Sequence, residues 1–204
     1  MYSLPRKNME ERKKFFNQLA EHWDHETQPD RKKLLRVIKE ARLTKNQVVL
    51  DVGSGTGVLI PAILEVIGPR GMVYALDYAE RMIRQIRRKN FPANVIPFLG
   101  DIHQTSFPDA FFDRIIANAC YPHFDDKKKA LCEMLRIVKP GGILVISHPT
   151  GRTRVNRHHR RIHPAVRMDI LPPARQLQKL LDSIGFSPLR TIEEPQFYLV
   201  AATR

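Results

Sequence analysis

The chain has 204 residues, and its 34 lysines and arginines outnumber 21 aspartates and glutamates to leave a formal net charge of +13. That length suits one domain with a full core, and a composition of 43% hydrophobic and 27% charged residues excludes a disordered chain. No apolar run approaches the roughly 18 residues that span a bilayer, residues 1–16 show no apolar leader, and Cys120 and Cys132 are too few for a disulfide framework, so a protein of a reducing cytoplasm is expected.

In chain order, residues 9–23 read as a helix outside the alternation that follows, suited to a lid or a partner surface. Residues 30–41 read as an amphipathic helix, with Leu34, Leu35, Val37, Ile38 and Ala41 on its apolar face and Asp30 as its cap. Strand-like apolar runs then alternate with helical patterns, which predicts an α/β fold. The strands fall at 48–52, 72–77, 95–99, 113–117, 143–147, 189–193 and 197–203, the first five apolar enough for burial on both faces of a parallel sheet. A helix follows residue 57, a second covers 127–138 with Asp125 or Asp126 as cap and stops at Lys139-Pro140-Gly141-Gly142, and a third covers 174–184 and ends at Gly185. The expected organisation is one domain over 1–204, with an N-terminal extension or lid at 1–29 and a basic insertion at 150–170.

The strand Val48-Val49-Leu50-Asp51-Val52 runs directly into Gly53-Ser54-Gly55-Thr56-Gly57. Alternate glycines permit positive φ and let a ligand lie against bare backbone, while the helix that follows offers unpaired N–H groups. The spacing is GxGxG, neither the GxGxxG of dinucleotide sites nor a loop ending in Gly-Lys-Ser/Thr. Asp77 ends the second strand, placed to accept hydrogen bonds from ribose hydroxyls, and Asp101 follows the third strand. Acids at the carboxyl ends of successive parallel strands converge on one crevice, where open α/β sheets bind their ligands.

These stretches, VVLDVGSGTG at 48–57, VYALDYAERM at 73–82, FLGDI at 98–102, FDRIIANA at 112–119 and LRIVKPGGILVIS at 135–147, resemble the class I S-adenosylmethionine-dependent methyltransferases, most nearly the ubiquinone/menaquinone-biosynthesis type that act on small molecules. The resemblance implies a Rossmann-like three-layer sandwich around a seven-stranded sheet of order 3-2-1-4-5-7-6 with strand 7 antiparallel. It also implies S-adenosylmethionine as cofactor. Asp51 and the loop Gly53, Ser54, Gly55, Thr56 and Gly57 would hold its methionine part, and Asp77 its ribose. Tyr78 and Met82 would meet the adenine face, Asp101, beside Gly100 and Ile102, the adenine amino group, and Asn118 would lie under the sulfonium.

A sulfonium methyl is already activated, so alignment supplies much of the rate, and a base helps only where the acceptor must lose a proton. Tyr121, His123 and His148, near the ends of the fourth and fifth strands, are the candidates for contact with the acceptor. The segment Asn118-Ala119-Cys120-Tyr121 departs from the Asn/Asp-Pro-Pro-Tyr/Phe signature of enzymes that methylate exocyclic amino groups. Within 150–170, Arg152, Arg154 and Arg157 suit a clamp for an anionic small molecule, a footprint for RNA, or a solvated basic surface. His159 and His163 have i, i+4 spacing without HExxH or a matching carboxylate, so no metal is expected. The reading is methyl transfer to a small, anionic acceptor. The alternatives are RNA methylation and a non-catalytic S-adenosylmethionine-binding protein.

Overall fold

In the computed structural model, which describes residues 7–27 and 30–204, the apolar runs form one sheet. Its strands are β1 (Val48–Val52), β2 (Met72–Asp77), β3 (Val95–Leu99), β4 (Phe112–Asn118), β5 (Val138–His148), β6 (Ser187–Glu194) and β7 (Phe197–Thr203), in the order β3-β2-β1-β4-β5-β7-β6. The five strands β1–β5 pair in parallel and β7 runs antiparallel to both β5 and β6, as the resemblance implies.

Helices cover both faces, which is why β1 needs apolar residues at successive positions. Val49 faces a core shared with α3 (Arg31–Glu40), α4 (Ile60–Ile67) and α5 (Glu80–Arg88). Leu50 and Val52 face the other, under α6 (Lys127–Ile137), α7 (Arg152–Ile162) and α8 (Ala174–Ile184). Asp51 is the one charged residue of β1, and it is buried. Local chemistry sets the helix ends: the Asp30 side chain accepts from the Lys32 and Lys33 amides, Asp126 accepts from the Lys129 amide, and Gly185 closes α8 at φ +115°.

Strands β4 and β6 run one or two residues beyond the expected 113–117 and 189–193, and three stretches are organised differently from expectation. Helix α6 ends at Ile137, and Val138 already pairs with Phe112, so Lys139-Pro140-Gly141-Gly142 lies inside β5 at a register shift instead of terminating the helix. The helix expected at 9–23 is divided into α1 (Lys7–Leu19) and α2 (Trp23–Thr27), and Ala20 at the bend packs against Ala79 and Met82. The basic segment 150–170 is largely α7, whose buried Val155 and His159 lie one helical turn apart. Of the 1–29 extension, residues 1–6 and 28–29 lie outside the described residues. No helix among the described residues is long and apolar enough to cross a membrane.

Candidate active site

A cleft of about 540 Å³ opens at the carboxyl ends of β1, β2 and β4, beneath α1 and α2. At one end it meets the glycine loop. Gly53, Gly55 and Gly57 have φ of +61°, +56° and +85°, a backbone that L side chains rarely adopt. A Cβ on Gly53 would also collide with the Cys120 side chain, so the loop lies hard against the end of β4. The loop is tied back by Ser54 N donating to Leu76 O at 3.0 Å and Gly57 N donating to Ser54 O at 2.9 Å.

The two acids beside this loop are both buried. Asp77 accepts from Gly55 N at 2.9 Å and from Ala79 N at 2.8 Å. Burial raises its carboxyl to about 6, while the backbone bonds oppose the rise. Asp51 has an oxygen, Oδ2, with no hydrogen-bond partner, and burial followed by the Asp77 charge lifts it to about 8. Ser54 Oγ and Tyr78 Oη are likewise buried without a partner. Orphaned polar atoms at a cleft wall, two of them next to bare glycine backbone, fit a ligand that carries both cationic and hydroxyl groups.

Of the other residues expected here, Met82, Gly100, Asp101, Ile102 and Asn118 line the cleft. Asp101 accepts from His103 N at 3.0 Å and pairs with His103 Nδ1 at 2.5 Å; burial pushes its carboxyl up, but these bonds outweigh it and hold it below the usual carboxylate range. Asn118 Oδ1 accepts from Ser147 Oγ at 2.9 Å. Thr56 and Gly57 do not line the cleft. The Thr56 hydroxyl donates to Asp24 Oδ1 at 2.5 Å, fastening α2 to the loop, and Gly57 sits tight against Ile60 and Phe91.

At the far end, His123 and His148 line the cleft but Tyr121 does not. The 3-10 turn Tyr121–His123 sends the tyrosine into the core beside Phe124, with 1% exposure, and turns His123 the other way. Arg152, Arg154 and Arg157 are also absent from the lining: Arg152 pairs with Glu193 at 2.6 Å, while Arg154 and Arg157 are exposed, because the buried face of α7 is taken by Val155 and His159. Cys120 Sγ donates to Val52 O at 3.0 Å, and burial pushes its thiol well up. No His, Cys, Asp and Glu cluster among the described residues could hold a metal ion.

Several lining residues escaped the sequence reading. Arg12, 2% exposed on α1, forks onto Asp169 through Nε at 2.9 Å and Nη2 at 2.8 Å, and its Nη1 reaches Asp125 at 2.5 Å. His123 Nδ1 meets the same Asp169 at 2.7 Å, and Phe16 and Trp23 line the wall together with His159, which the sequence offered only as half of an i, i+4 histidine pair. Two signals were present. Arg12 falls on the helical face that carries Phe15, Phe16 and Leu19, and Asp169 is the only acid in the basic segment 150–170.

Residues 50–146 match the family model described as a methyltransferase domain. The ubiquinone/menaquinone biosynthesis C-methyltransferase UbiE of Vibrio vulnificus (strain YJ016) is 35% identical over 104 residues, 49% of this chain and 40% of that protein. The same-named protein of Ralstonia pickettii (strain 12J) is 35% identical over 111 residues, 53% of this chain and 46% of that one. The chain thus spans less than half the length of these curated relatives. A crystal structure of a SAM-dependent methyltransferase from Aquifex aeolicus superposes with a TM-score of 0.72 at 24% identity, over 91% of this chain and 97% of that one.

Proposed function

We propose, for a chain that carries a class I S-adenosylmethionine-dependent methyltransferase domain, that the cleft passes the cofactor's methyl group to a small molecule. The observation that carries this reading is the unpartnered Oδ2 of buried Asp51, beside buried Asp77, at a glycine loop. Buried carboxylates are costly unless a cation or a donor meets them, and the cofactor brings an ammonium, a sulfonium and hydroxyl groups. In this reading Asp51, Gly53, Ser54 and Gly55 hold the methionine part, Asp77 the ribose, Tyr78 and Met82 the adenine face, and Asp101 the adenine amino group, with Gly100 and Ile102 beside it and Asn118 under the sulfonium. Thr56 and Gly57 hold the loop in shape. When bound, the cofactor offers an activated methyl carbon: the acceptor's electron pair forms the new bond, and the pair of the broken bond stays on sulfur.

The acceptor end supports an aromatic molecule bearing a hydroxyl. Phe16, His123, Ile162 and Val166 form a wall suited to a ring, and the relatives are named for C-methylation in ubiquinone and menaquinone biosynthesis. The net charge of +13 favours an acceptor that is anionic or becomes so by ionising. Arg154 and Arg157, outside the cleft, act in this reading as a long-range field and not as a clamp. The exposure of these two and of Arg160 and Arg161 also favours a second reading, methylation of RNA.

Calorimetric titration with S-adenosylmethionine and S-adenosylhomocysteine, with NADH as control, tests the first step. Micromolar binding of the first two alone is expected, and binding of none overturns the reading. Transfer of labelled methyl to a panel of phenols and hydroquinones, run beside total RNA at two salt concentrations, separates the two acceptors: label appearing only in RNA overturns the small-molecule reading.

A further inference from the structure

The acceptor end holds a connected set of side chains that includes a cleft-lining histidine. Arg12 grips Asp169 through two nitrogens, and Asp169 Oδ2, which accepts from Arg12 Nε, also meets His123 Nδ1. A carboxylate at that distance fixes the proton on Nδ1 and leaves Nε2 as the bare, accepting nitrogen. Nε2 takes no hydrogen bond from any described residue, and the ring lines the cleft. His148 is held in the opposite sense: Thr150 N donates to its Nδ1 at 3.1 Å, so its remaining nitrogen carries the hydrogen. One cleft wall therefore offers a fixed acceptor at His123 beside a fixed donor at His148.

We propose that His123 is the general base of this methyl transfer, that Asp169 positions it, and that Arg12 makes the base conditional on α1 being docked over the cleft. The inference rests on the methyl-transfer reading and specifies its acceptor as a molecule with an ionisable hydroxyl. The acceptor's O–H bond breaks, the proton goes to Nε2, and the bonding pair stays on oxygen. From there it acts directly as nucleophile or, in a hydroquinone, through the conjugated ring carbon. In that case the C–H bond of the methylated carbon then breaks, its pair restores the aromatic ring, and its proton ends on the oxygen that first ionised, the proton on Nε2 passing to solvent. The imidazolium that forms faces the Asp169 carboxylate, which stabilises it without itself taking the proton.

The groups around His123 agree with this task. From α1 come Arg12 and the Phe16 ring, whose centroid lies 5.0 Å away; from α7 comes the His159 ring at 4.8 Å; from the first turn of α6 comes Lys127; and His148 stands at the end of β5. Burial, helped by Arg12 and Lys127, holds the imidazole below its ordinary value against the pull of Asp169, so it is neutral and able to accept at pH 7. His159 donates from Nδ1 to the Asp169 carbonyl at 2.6 Å, which fixes the backbone that presents the carboxylate. The dyad is thus supported from α7 and oriented from α1. Undocking α1 would remove the guanidinium that sets Asp169.

Long-range 1H–15N correlation spectra of the histidine-labelled full chain, with S-adenosylhomocysteine bound, read the tautomer directly. His123 is expected with its proton on Nδ1, moving to a mixture or to Nε2 in Asp169→Asn and in Arg12→Gln while S-adenosylhomocysteine affinity changes less than threefold. With 1,4-naphthohydroquinone and related phenols as acceptors, His123→Gln is expected to lower kcat about 100-fold or more with KM within threefold, and to erase the acid limb of the pH–rate profile. Failure of the wild-type chain to bind S-adenosylhomocysteine overturns the functional reading on which the base rests. Intact binding with the His123 proton on Nε2 overturns the base itself, as does an acid limb that survives in His123→Gln. Intact binding without methylation of any member of the panel overturns the hydroxyl-bearing acceptor.

Discussion

At the glycine-loop end of the cleft, the groups facing the cavity come from short stretches around Asp51, Gly55 and Asp77, and backbone amides do most of the holding: Asp77 and Gly55 are 22 residues apart. At the α1 end, Arg12 and Asp169 are 157 residues apart and meet only through side chains. The first end leaves Asp51 Oδ2 without a partner and Asp77 held by backbone amides alone; the second pairs its own charges, Arg12 with Asp169 and Asp125, before any ligand arrives. A site for a cofactor of fixed shape can be built from backbone, whereas a site that must select an acceptor and move a proton is assembled from distant side chains.

The sharpest break in that contrast is Arg12→Ala. It strands Asp169, and partly Asp125, in a buried setting, and a loss of about 3–5 kcal/mol in denaturant unfolding is expected. A loss below about 1 kcal/mol would mean that α1 is dispensable to the acceptor end. At the other end, Asp77→Ala removes an acceptor that already holds two backbone amides, and S-adenosylmethionine affinity should fall by about 1–3 kcal/mol by calorimetry. Unchanged affinity would dismiss the ribose assignment.

The pH dependence separates the ends by sign. With Asp51 raised to about 8 and Asp77 to about 6, a cationic ligand must displace their protons, so S-adenosylmethionine affinity should rise between pH 6 and 8 by up to about tenfold per unit for each proton released. Stability without ligand runs the other way from about pH 6.5 to 8, because the folded chain keeps an Asp51 proton that the unfolded chain has lost. Between about pH 4 and 6.5 the acceptor end opposes this slope. His148, lowered to about 3 chiefly by burial, and His123 and His159, lowered for the same first reason, stay neutral when folded and charge when unfolded, so there they destabilise the fold progressively as the pH is lowered. Thermal melts across pH 5–8.5 with and without ligand read both slopes; a ligand affinity flat with pH would show that Asp51 does not meet a cation and that Asp77 does not accept from the ligand as a carboxylate. The smallest effect belongs to the paired substitution Arg154→Gln and Arg157→Gln, which touches neither end and should change stability by less than about 0.5 kcal/mol.

The same contrast explains what was legible beforehand. Strand β1, the glycine loop and Asp77 form a local pattern in which each position needs its residue type for a nearby reason, and β1, β2, β3 and β7 fall at the residues expected from apolar runs. Tyr121 and His123 are neighbours in a single turn, and only the direction of that turn, set by packing around Phe124, separates the core residue from the cleft residue. The arginines of 150–170 were visible as charge, but which face of α7 would be buried was decided by Val155 and His159 meeting the rest of the molecule. Arg12 and Asp169 needed the fold before either had a partner. A charged residue on an apolar helical face, and a lone acid in a basic segment, are faint marks that gain meaning only as a pair.

The close fit of Gly53 against Cys120 has a practical side. Cys120 is tied to the Val52 carbonyl and its thiol is pushed up by burial, whereas Cys132 is exposed on α6, away from the cleft. An alkylating reagent at neutral pH should therefore label Cys132 quickly and Cys120, half-buried on the cleft wall with its thiol pushed up, slowly. With Cys132→Ser in place, the rate of modification at the remaining cysteine reports access to the cleft wall, and its slowing by S-adenosylhomocysteine is readable by intact-mass spectrometry without any knowledge of the methyl acceptor.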